Sequence, residues 1–575
     1  MIFVILCLDL VQQNYIGLKK ILPCTLGFFL AVSVFLFTIP FVQSSVIEYI
    51  LLILIILALV MIADKLNIAY PIVLVLGGLA LSFTSRFSNI SIDPELVFFI
   101  FLPPLLYEAA WQVSWKEFWR WRRIIMSFAF PIVILTSCLI ALISTWLIPG
   151  FTLALGFLLG GIISPPDAIS ATTIMRRVKI SKSMVSIVEG ESLLNDASSL
   201  IVFRFALFAV ITGEFHFGEA ALSFILVIVM GIVIGLLIAL IFYAIHRWMP
   251  TTTSIEIILT LVTPYCMYYA AEHFHFSGVL AVVSGGLFLS NRRQEMLSYR
   301  SRLQGINVWN NLVFVLNGLV FFLIGLQLPT IIGQLGNISL KTAIGYGLAI
   351  SLALIVIRML CTIGASYFTR FMSHFITVAD KNPGLKGPII LGWAGMRGVV
   401  SLAAALSIPV LITAGKPFPY RDLILFITFI VILITLVFQG LTLPWLIRKV
   451  HLEDRYTAIP EPKQEIIIQK KIAEQSLKYL EEKYGKDWRK NEQLRNLHAR
   501  LEVDMKLLQE ELDNTAKSDH ALRNYQLAYL QLLEHQRKLL TKMNHRAEFD
   551  EDLIRKYLTL IDLEEFKLRE KILVE

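Results

Sequence analysis

The sequence predicts an all-α polytopic membrane protein of about 13 transmembrane helices, followed by a cytoplasmic helical domain. Two observations carry this prediction. Of the 575 residues, 56% are hydrophobic and only 16% are charged, against roughly a quarter charged in soluble domains. Apolar runs long enough to cross a bilayer recur as far as residue 450 and then stop. We therefore predict three segments, 1–45, 46–450 and 451–575.

The apolar runs after residue 45 set the membrane topology. Connections after odd-numbered runs carry Lys and Arg clusters, at 116–123, 176–182 and 292–302, whereas those after even-numbered runs are poor in cations. Because cationic loops are retained in the cytoplasm, odd-numbered helices and the tail are expected to end there. These loops also account for the net charge of +8, so no nucleic-acid partner is expected. The predicted spans are 46–64, 69–84, 93–111, 124–148, 151–175, 183–212, 220–246, 253–273, 276–290, 306–336, 341–370, 386–414 and 422–447.

Both ends of the chain leave alternatives open. The apolar segment 21–42 follows Lys19 and Lys20, and we favour an additional helix over a removed signal peptide or an upstream start. The tail, 451–575, carries long charged stretches with Leu, Ile and Tyr at helical spacing. We interpret it as a solvated hairpin or coiled coil that aids dimerisation, with a regulatory sensor as the alternative.

The sixth predicted span contains an aspartate near its middle. An ionisable side chain at this depth costs about 2.5 to 3.5 kcal/mol to insert, so it is a functional candidate by default. Ser192 and Ser199 lie four residues before and three after Asp196, which places three oxygen-bearing side chains on one helix face. Oxygen ligands on one face suit a small, hard cation.

The fifth predicted span is interrupted by two consecutive prolines. Pro165 and Pro166 lack a backbone N–H, so the carbonyls of Gly161 and Ile162 are expected to lose their helical partners. Free carbonyls at membrane depth are tolerated where they line a cavity, and interrupted helices mark ion sites in transporters. Asp167 follows directly and adds a carboxylate to this break.

A second break is predicted in the twelfth span, at Gly392–Gly398, where Arg397 lies at membrane depth. Breaks seven spans apart are what two inverted six-helix repeats joined by one linker helix would give, with two discontinuous helices that cross. We expect Arg397 to form a structural ion pair with Glu191, which is equally deep and off the Asp196 face. Arg358 is expected to meet a carboxylate or a helix C-terminus. Glu108, near the cytoplasmic end of span three, either lines the ion entrance or reaches the interface.

The run Glu191-Ser192-Leu193-Leu194-Asn195-Asp196, with Pro166-Asp167 before it and Gly395–Gly398 after it, resembles sodium/proton antiporters of the cation/proton antiporter-1 family over roughly residues 46–450. The resemblance implies that Asp196 is the carrier carboxylate and that the chain forms a homodimer with a core moving like an elevator. It also supports the Glu191–Arg397 pair. The cation and proton ligands it implies are Asp196, Asn195, Ser192, Asp167, the Pro166 carbonyl and Glu108.

These features predict a secondary antiporter of the cell membrane and not an enzyme. One carboxylate that carries either a monovalent cation, most simply Na⁺ and alternatively Li⁺ or K⁺, or a proton couples the two fluxes. Asp196, Ser192 and Asp167 would hold the cation, and exchange would be electroneutral. No resident cofactor is expected, only the transported ions and membrane lipids. The competing hypotheses are an intramembrane aspartyl protease with Asp167 and Asp196 as its dyad, and a passive cation channel.

Overall fold

The computed structural model describes residues 44–84, 97–178, 180–213, 217–335, 338–374, 384–412, 416–451, 461–484, 491–513, 518–544 and 551–572. Across these residues the fold is helical, and its extended structure is one isolated bridge between Leu411 and Pro417. The chain divides into two compact units between Glu453 and Asp454. The segment 21–42, expected as an additional helix, lies outside the described residues.

Helices occupy each of the predicted span ranges, and in two of these ranges a non-helical break of four or five residues, 164–167 and 394–398, divides the helix. Eight helical segments of the described residues are long and apolar enough to cross a membrane. The longer helices of the first unit are α1 Ser44–Lys65, α2 Tyr70–Ser82, α3 Leu102–Gln112, α4 Trp115–Leu147, α5 Leu153–Ile163, α6 Ala168–Arg177, α7 Lys182–Thr212, α8 Phe217–Trp248, α9 Thr253–His273, α10 Gly278–Asn291, α11 Tyr299–Leu326, α12 Leu340–Met372, α13 Lys386–Trp393, α14 Val399–Leu406 and α15 Arg421–Val450. Short helical segments are Val97–Phe101, Arg293–Met296 and Leu328–Gly333.

Hydroxyl side chains begin several of these helices. Thr152 before α5 accepts a hydrogen bond from the Leu155 N–H at 3.3 Å, and Ser277 before α10 accepts from the Leu280 N–H at 3.2 Å. Such caps satisfy backbone donors that have no partner within the helix. The sequence thus determines both that these apolar helices form and where they start.

The two interrupted helices touch each other at their breaks. The chain leaves α5 at Ile163 and enters α6 at Ala168, and it leaves α13 at Trp393 and enters α14 at Val399. The Asp167 N–H donates to the Met396 carbonyl at 2.7 Å. A backbone hydrogen bond therefore ties one break to the other.

The helices of the first unit pack as two groups. The scaffold group consists of α1, α2, α3, α8, α9, α10 and α11, with α2 against α11 and α10 against both α3 and α8. The core group consists of α4, α5, α6, α7, α12, α13, α14 and α15, with α5 against α4 and α7 and with α12 against α13 and α15. Both breaks belong to the core group.

Among the described residues, two ion pairs connect the groups. Arg177 at the end of α6 meets Asp64 at the end of α1 with Nη2 to Oδ1 at 2.6 Å. Arg204 of α7 meets Glu272 of α9 with Nη2 to Oε2 at 2.6 Å. All four side chains keep substantial solvent exposure, so these contacts lie at the edges of the group boundary.

The second unit contains four helices: α16 Glu461–Tyr484, α17 Glu492–Asp513, α18 Ser518–Asn544 and α19 Glu551–Ile572. Helix α16 packs on α17, and α18 packs on α19. Arg537 of α18 bridges to Asp562 at 2.7 Å and to Glu565 at 2.6 Å, both on α19. Arg537, and then Arg569, hold the pKa of the Glu565 carboxyl below its usual range.

Candidate cation-binding site

A cavity of about 260 Å³ is lined by residues of both helix groups. The scaffold group contributes residues of α3 and α11, and the core group contributes α6, α7, α14 and the break between α5 and α6. Five of the six residues predicted to bind the cation or proton line it: Asp196, Ser192, Asp167, Pro166 and Glu108. Residues far apart in the sequence thus meet at one polar cavity.

Asp196 lies in the middle of α7 with 6% of its surface exposed. Within the described part of the chain, no protein donor reaches its carboxylate. Ser192, one turn earlier, also lines the cavity, and its Oγ accepts from the Ala168 N–H at 3.3 Å. Ser199 was expected to join this set but does not. Its hydroxyl donates to the Asp196 backbone carbonyl at 3.2 Å.

Asp167 has protein partners for both carboxylate oxygens. Its Oδ1 accepts from the Ile169 N–H at 3.1 Å, which caps α6, and its Oδ2 accepts from the Ser170 hydroxyl at 2.8 Å. Gly398 allows this placement, because a Cβ there would come within 2.6 Å of Oδ2. The two aspartates therefore differ: Asp167 is fixed by donors, and Asp196 is free to take a ligand.

Asn195 is buried next to the cavity. Its Nδ2 donates to the Pro166 carbonyl at 3.1 Å, while its Oδ1 has no partner among the described residues. The Pro166 carbonyl, predicted as a backbone ligand, thus already accepts one hydrogen bond. A carbonyl oxygen has two lone pairs, so this bond leaves one acceptor position.

Glu108 lies at the end of the cavity next to the interhelical connections that carry the Lys and Arg clusters. Its carboxylate accepts from the Gln112 amide one turn later on α3. Arg176 and Glu189 form an ion pair of 2.7 Å in the same part of the lining. The Glu108 side chain is one of those that line the cavity.

The ion pair expected between Glu191 and Arg397 is wrong. Glu191 pairs instead with Arg358 of α12, with Nη1 to Oε1 at 2.9 Å and Nη2 to Oε2 at 3.0 Å, and both side chains are buried. Depth along the membrane indicated that Glu191 needed a cation, but depth alone could not choose between two equally deep arginines.

Arg397 is 1% exposed and binds backbone carbonyls. Its Nε donates to the Ile163 carbonyl at 2.7 Å, its Nη2 to the Ser164 carbonyl at 3.1 Å, and its Nη1 to the Gly395 carbonyl. Ile163 and Ser164 lack helical partners because the N–H groups of residues 167 and 168 donate elsewhere. Arg397 therefore closes the carbonyl end of α5, where the helix dipole is negative.

Residues 49–449 match the model of the family described as "Sodium/hydrogen exchanger, transmembrane". The chain belongs to the sodium/hydrogen exchanger family. As a member it is a cation/proton antiporter, which is a secondary transporter and not an enzyme. This excludes the intramembrane protease and the passive channel.

Two curated relatives carry the name sodium, potassium, lithium and rubidium/H⁺ antiporter. The one from Bacillus pumilus is 34% identical over 76% of this chain and 67% of its own length. The one from Bacillus subtilis is 34% identical over 68% of this chain and 61% of its own length. The exchanger chain thus aligns with about two thirds of each relative.

A solved structure shares the fold of this exchanger. The sodium proton antiporter MjNhaP1 from Methanocaldococcus jannaschii superimposes with a TM-score of 0.55 at 21% identity, over 73% of this chain and 100% of that chain. The likeness supports the all-helical membrane architecture of the first unit.

Sequence reasoning missed several polar residues of the exchanger cavity, among them Gln112, Thr172, Thr173, Ser401 and Asn317. Asn317 lines it from α11 of the scaffold group. It stands in the apolar run Val313-Phe314-Val315-Leu316-Asn317-Gly318-Leu319-Val320. A lone amide at membrane depth is the same signal that singled out Asp196, and applying it to uncharged side chains would have found Asn317.

Proposed function

We propose that Asp196 alternately binds the cation and a proton. The observation that carries this proposal is the contrast between the two aspartates at the cavity: no described donor reaches the Asp196 carboxylate, whereas both Asp167 oxygens accept hydrogen bonds. A carboxylate without protein donors can take either a metal ion or a proton. Competition between the two at one side chain couples their fluxes without further machinery.

The transported cation is a monovalent alkali ion, and we assign Na⁺. Asp196, Ser192 and Asp167 supply the side-chain oxygens, and the remaining lone pair of the Pro166 carbonyl is available to it. Oxygen ligands suit hard cations, and the names of the Bacillus relatives include sodium. Because Asn195 stands beside Asp196 where a second carboxylate would add charge, exchange is one for one and electroneutral.

The membrane arrangement that we propose has about 13 transmembrane helices in two inverted six-helix repeats. The seven-span offset between the α5–α6 and α13–α14 breaks supports these repeats. The Lys and Arg clusters indicate that the C-terminal tail and the Arg176 end of the cavity lie on the cytoplasmic side of the cell membrane. A homodimer follows from the family resemblance, and α8 exposes apolar side chains such as Leu226 and Leu237 to lipid or a second copy.

The test is Na⁺ uptake driven by a pH gradient in proteoliposomes. Asp196→Asn should abolish it, because the amide keeps the size of the side chain but cannot carry a proton or a negative charge. The matched control is Asp422→Asn at the start of α15, where the carboxylate is half exposed and pairs with Arg421 at 3.5 Å. The control should keep exchange near the wild-type rate.

Two outcomes would contradict the proposal. Proton-coupled Na⁺ uptake that persists in folded Asp196→Asn protein would show that another group carries the ion. A wild-type rate that follows an imposed membrane potential would refute electroneutral exchange while leaving the carrier assignment in place.

A further inference from the structure

The first turns of α4 combine charged and aromatic side chains at one end of a long apolar helix. From Trp115 to Leu147 the helix has 33 residues, a length of about 50 Å at 1.5 Å per residue. The hydrocarbon core of a bilayer is only about 30 Å thick. The cations of α4 all lie between residues 116 and 123, so this end of the helix extends into the headgroup layer.

One side of this helix start packs against the core group. Trp121 and Ile125 are buried, and Trp121 Nε1 donates to Glu117 Oε2 at 3.0 Å. Ile125 and Phe118 lie against Gly190 of α7, where a Cβ would come within 2.6 Å of Ile125 Cδ1. These contacts fix the rotation of α4 about its axis and therefore determine which side chains face outward.

The opposite side carries a row of three cations. Lys116, Arg120 and Arg123 follow one another at spacings of four and three residues, which places them on one helix face. All three residues are exposed. Arg120 Nη1 lies 3.9 Å from Glu117 Oε1, and 42% of the Arg120 side-chain surface remains exposed. The row thus presents positive charge at headgroup depth.

Two exposed tryptophans stand beside the cation row. The rings of Trp115 and Trp119 stack with their centroids 5.9 Å apart, and both residues are exposed. The Arg122 guanidinium lies 4.5 Å from the centroid of the Trp119 ring and also donates to the Trp119 carbonyl. Exposed indoles of this kind are typical of the boundary between membrane and water.

The rest of the exposed side of α4 indicates that its neighbour is lipid. Beyond the charged start, this side carries apolar residues such as Leu135 and Leu142, and Trp146 near the other end is 84% exposed. Trp119 and Trp146 are about 40 Å apart along the helix at 1.5 Å per residue. A bilayer with its headgroups is roughly 40–45 Å thick. The tryptophans at the two ends of α4 therefore match the two headgroup layers.

We propose that the start of α4 binds an anionic phospholipid, with Lys116, Arg120 and Arg123 around its phosphate and with Trp115 and Trp119 beside its upper acyl chains. In the topology that we propose, this lipid belongs to the cytoplasmic leaflet, whose negative surface attracts such basic segments. None of the five residues lines the cavity around Asp196. The lipid site is thus separate from the cation site, and it lies on the core group.

The experiment measures which lipid quenches the fluorescence of the two tryptophans. The full-length exchanger is reconstituted in vesicles of phosphatidylcholine and phosphatidylglycerol, with brominated acyl chains on one of the two lipids at a time. The signal of Trp115 and Trp119 is the difference between proteins with and without the double substitution Trp115→Phe, Trp119→Phe. Phosphatidylglycerol should quench this signal with an apparent affinity about threefold to tenfold higher than that of phosphatidylcholine.

Two sets of substitutions test the cation row. The neutral set, Lys116→Gln, Arg120→Gln and Arg123→Gln, should lower the ratio of the two affinities to about one, because the charge that selects the anionic headgroup is gone. The charge-conserving set, Lys116→Arg, Arg120→Lys and Arg123→Lys, should keep the ratio above one. A loss in the neutral set alone then reflects charge and not misfolding.

The matched control removes the same charge from another basic connection. Arg292, Arg293 and Arg300 lie between α10 and α11 of the scaffold group and are exposed. Substitution of all three by Gln should leave the ratio measured at the start of α4 at its wild-type value.

Three outcomes would overturn the inference. A wild-type ratio near one would show that the site does not select an anionic lipid. An equal fall in the control set would indicate attraction by overall charge instead of by the cation row. A ratio that exceeds one only after truncation past Pro460 would show that the tail covers this face in the full-length protein.

Discussion

The α5–α6 break and the α13–α14 break touch each other but hold side chains of opposite charge, Asp167 and Arg397. Each interrupts a helix of the core group, and the two share the backbone bond from Asp167 to Met396. At the first break a carboxylate lines a cavity. At the second, the guanidinium of Arg397 is buried, and donors of that side chain bind three carbonyls.

The difference shows how one membrane protein can hold a helix break in two ways. Backbone groups freed at membrane depth need partners. The chain supplies a permanent cation, Arg397, at the carbonyl end of α5. In the function that we propose, the oxygens around Asp196 are left for a cation that binds and leaves. The buried Arg397 guanidinium then holds the backbone beside that proposed site in place.

The largest expected effect concerns the buried charges beside the second break. Arg358→Met leaves the Glu191 carboxylate buried without its partner and should cost about 3 to 5 kcal/mol of unfolding free energy. Glu191→Gln combined with Arg358→Met should recover much of that loss. The measurement is a double-mutant cycle by chemical denaturation in detergent micelles.

A second cycle, with Glu191→Gln and Arg397→Met, is its control. Arg397 binds carbonyls, so its coupling to Glu191 should be clearly smaller than that of Arg358. Equal coupling energies in the two cycles would show that Glu191 is shared between both arginines and that the contrast between the breaks is overstated.

A smaller effect is expected where the two breaks touch. Gly398→Ala would place a Cβ within 2.6 Å of Asp167 Oδ2 and push the carboxylate away from its place in the cavity. We expect the exchange rate to fall by about tenfold or more, as for other displaced reacting groups. Gly364→Ala, in α12 with open space around it, is the control. An unchanged rate in Gly398→Ala would mean that the position of Asp167 is not critical.

The smallest effect is expected from the tail. Truncation after Pro460 removes α16 to α19 but leaves both breaks and all cavity residues in the chain. Exchange should remain measurable, and any change should appear in its pH dependence or in dimer stability. A pH titration of sodium-dependent proton release in vesicles compares both proteins at equal membrane amounts. Complete loss of activity in a correctly inserted truncation would place essential machinery in the tail.

Much of the fold could be predicted from the sequence, since hydropathy fixes the length and position of apolar helices. The predicted span at 183–212 corresponds to α7 at Lys182–Thr212, and the span at 253–273 to α9 at Thr253–His273. The start of α4 was missed by nine residues. The stretch from Trp115 to Arg123 is amphipathic, so a search for uniformly apolar sequence passes over it.

Several residues that line the cavity could be predicted from the sequence, but their hydrogen-bond and ion-pair partners could not. Asp196 and Asp167 stood out because charge at membrane depth is costly. Which carboxylate receives donors, and which arginine meets Glu191, depends on rotations of helices about their axes. Those rotations are set by packing between α7, α12 and the two breaks, and a single sequence contains no direct signal of them.

The ion pairs Arg177–Asp64 and Arg204–Glu272 have a consequence for how freely the exchanger cycles. Both join the core group to the scaffold group, so any relative displacement of the groups has to open them. Pairs with this much solvent exposure contribute about 0 to 1 kcal/mol each. They therefore stabilise each resting position only slightly and add only a small energy barrier to leaving it. Dissolved salt weakens them further.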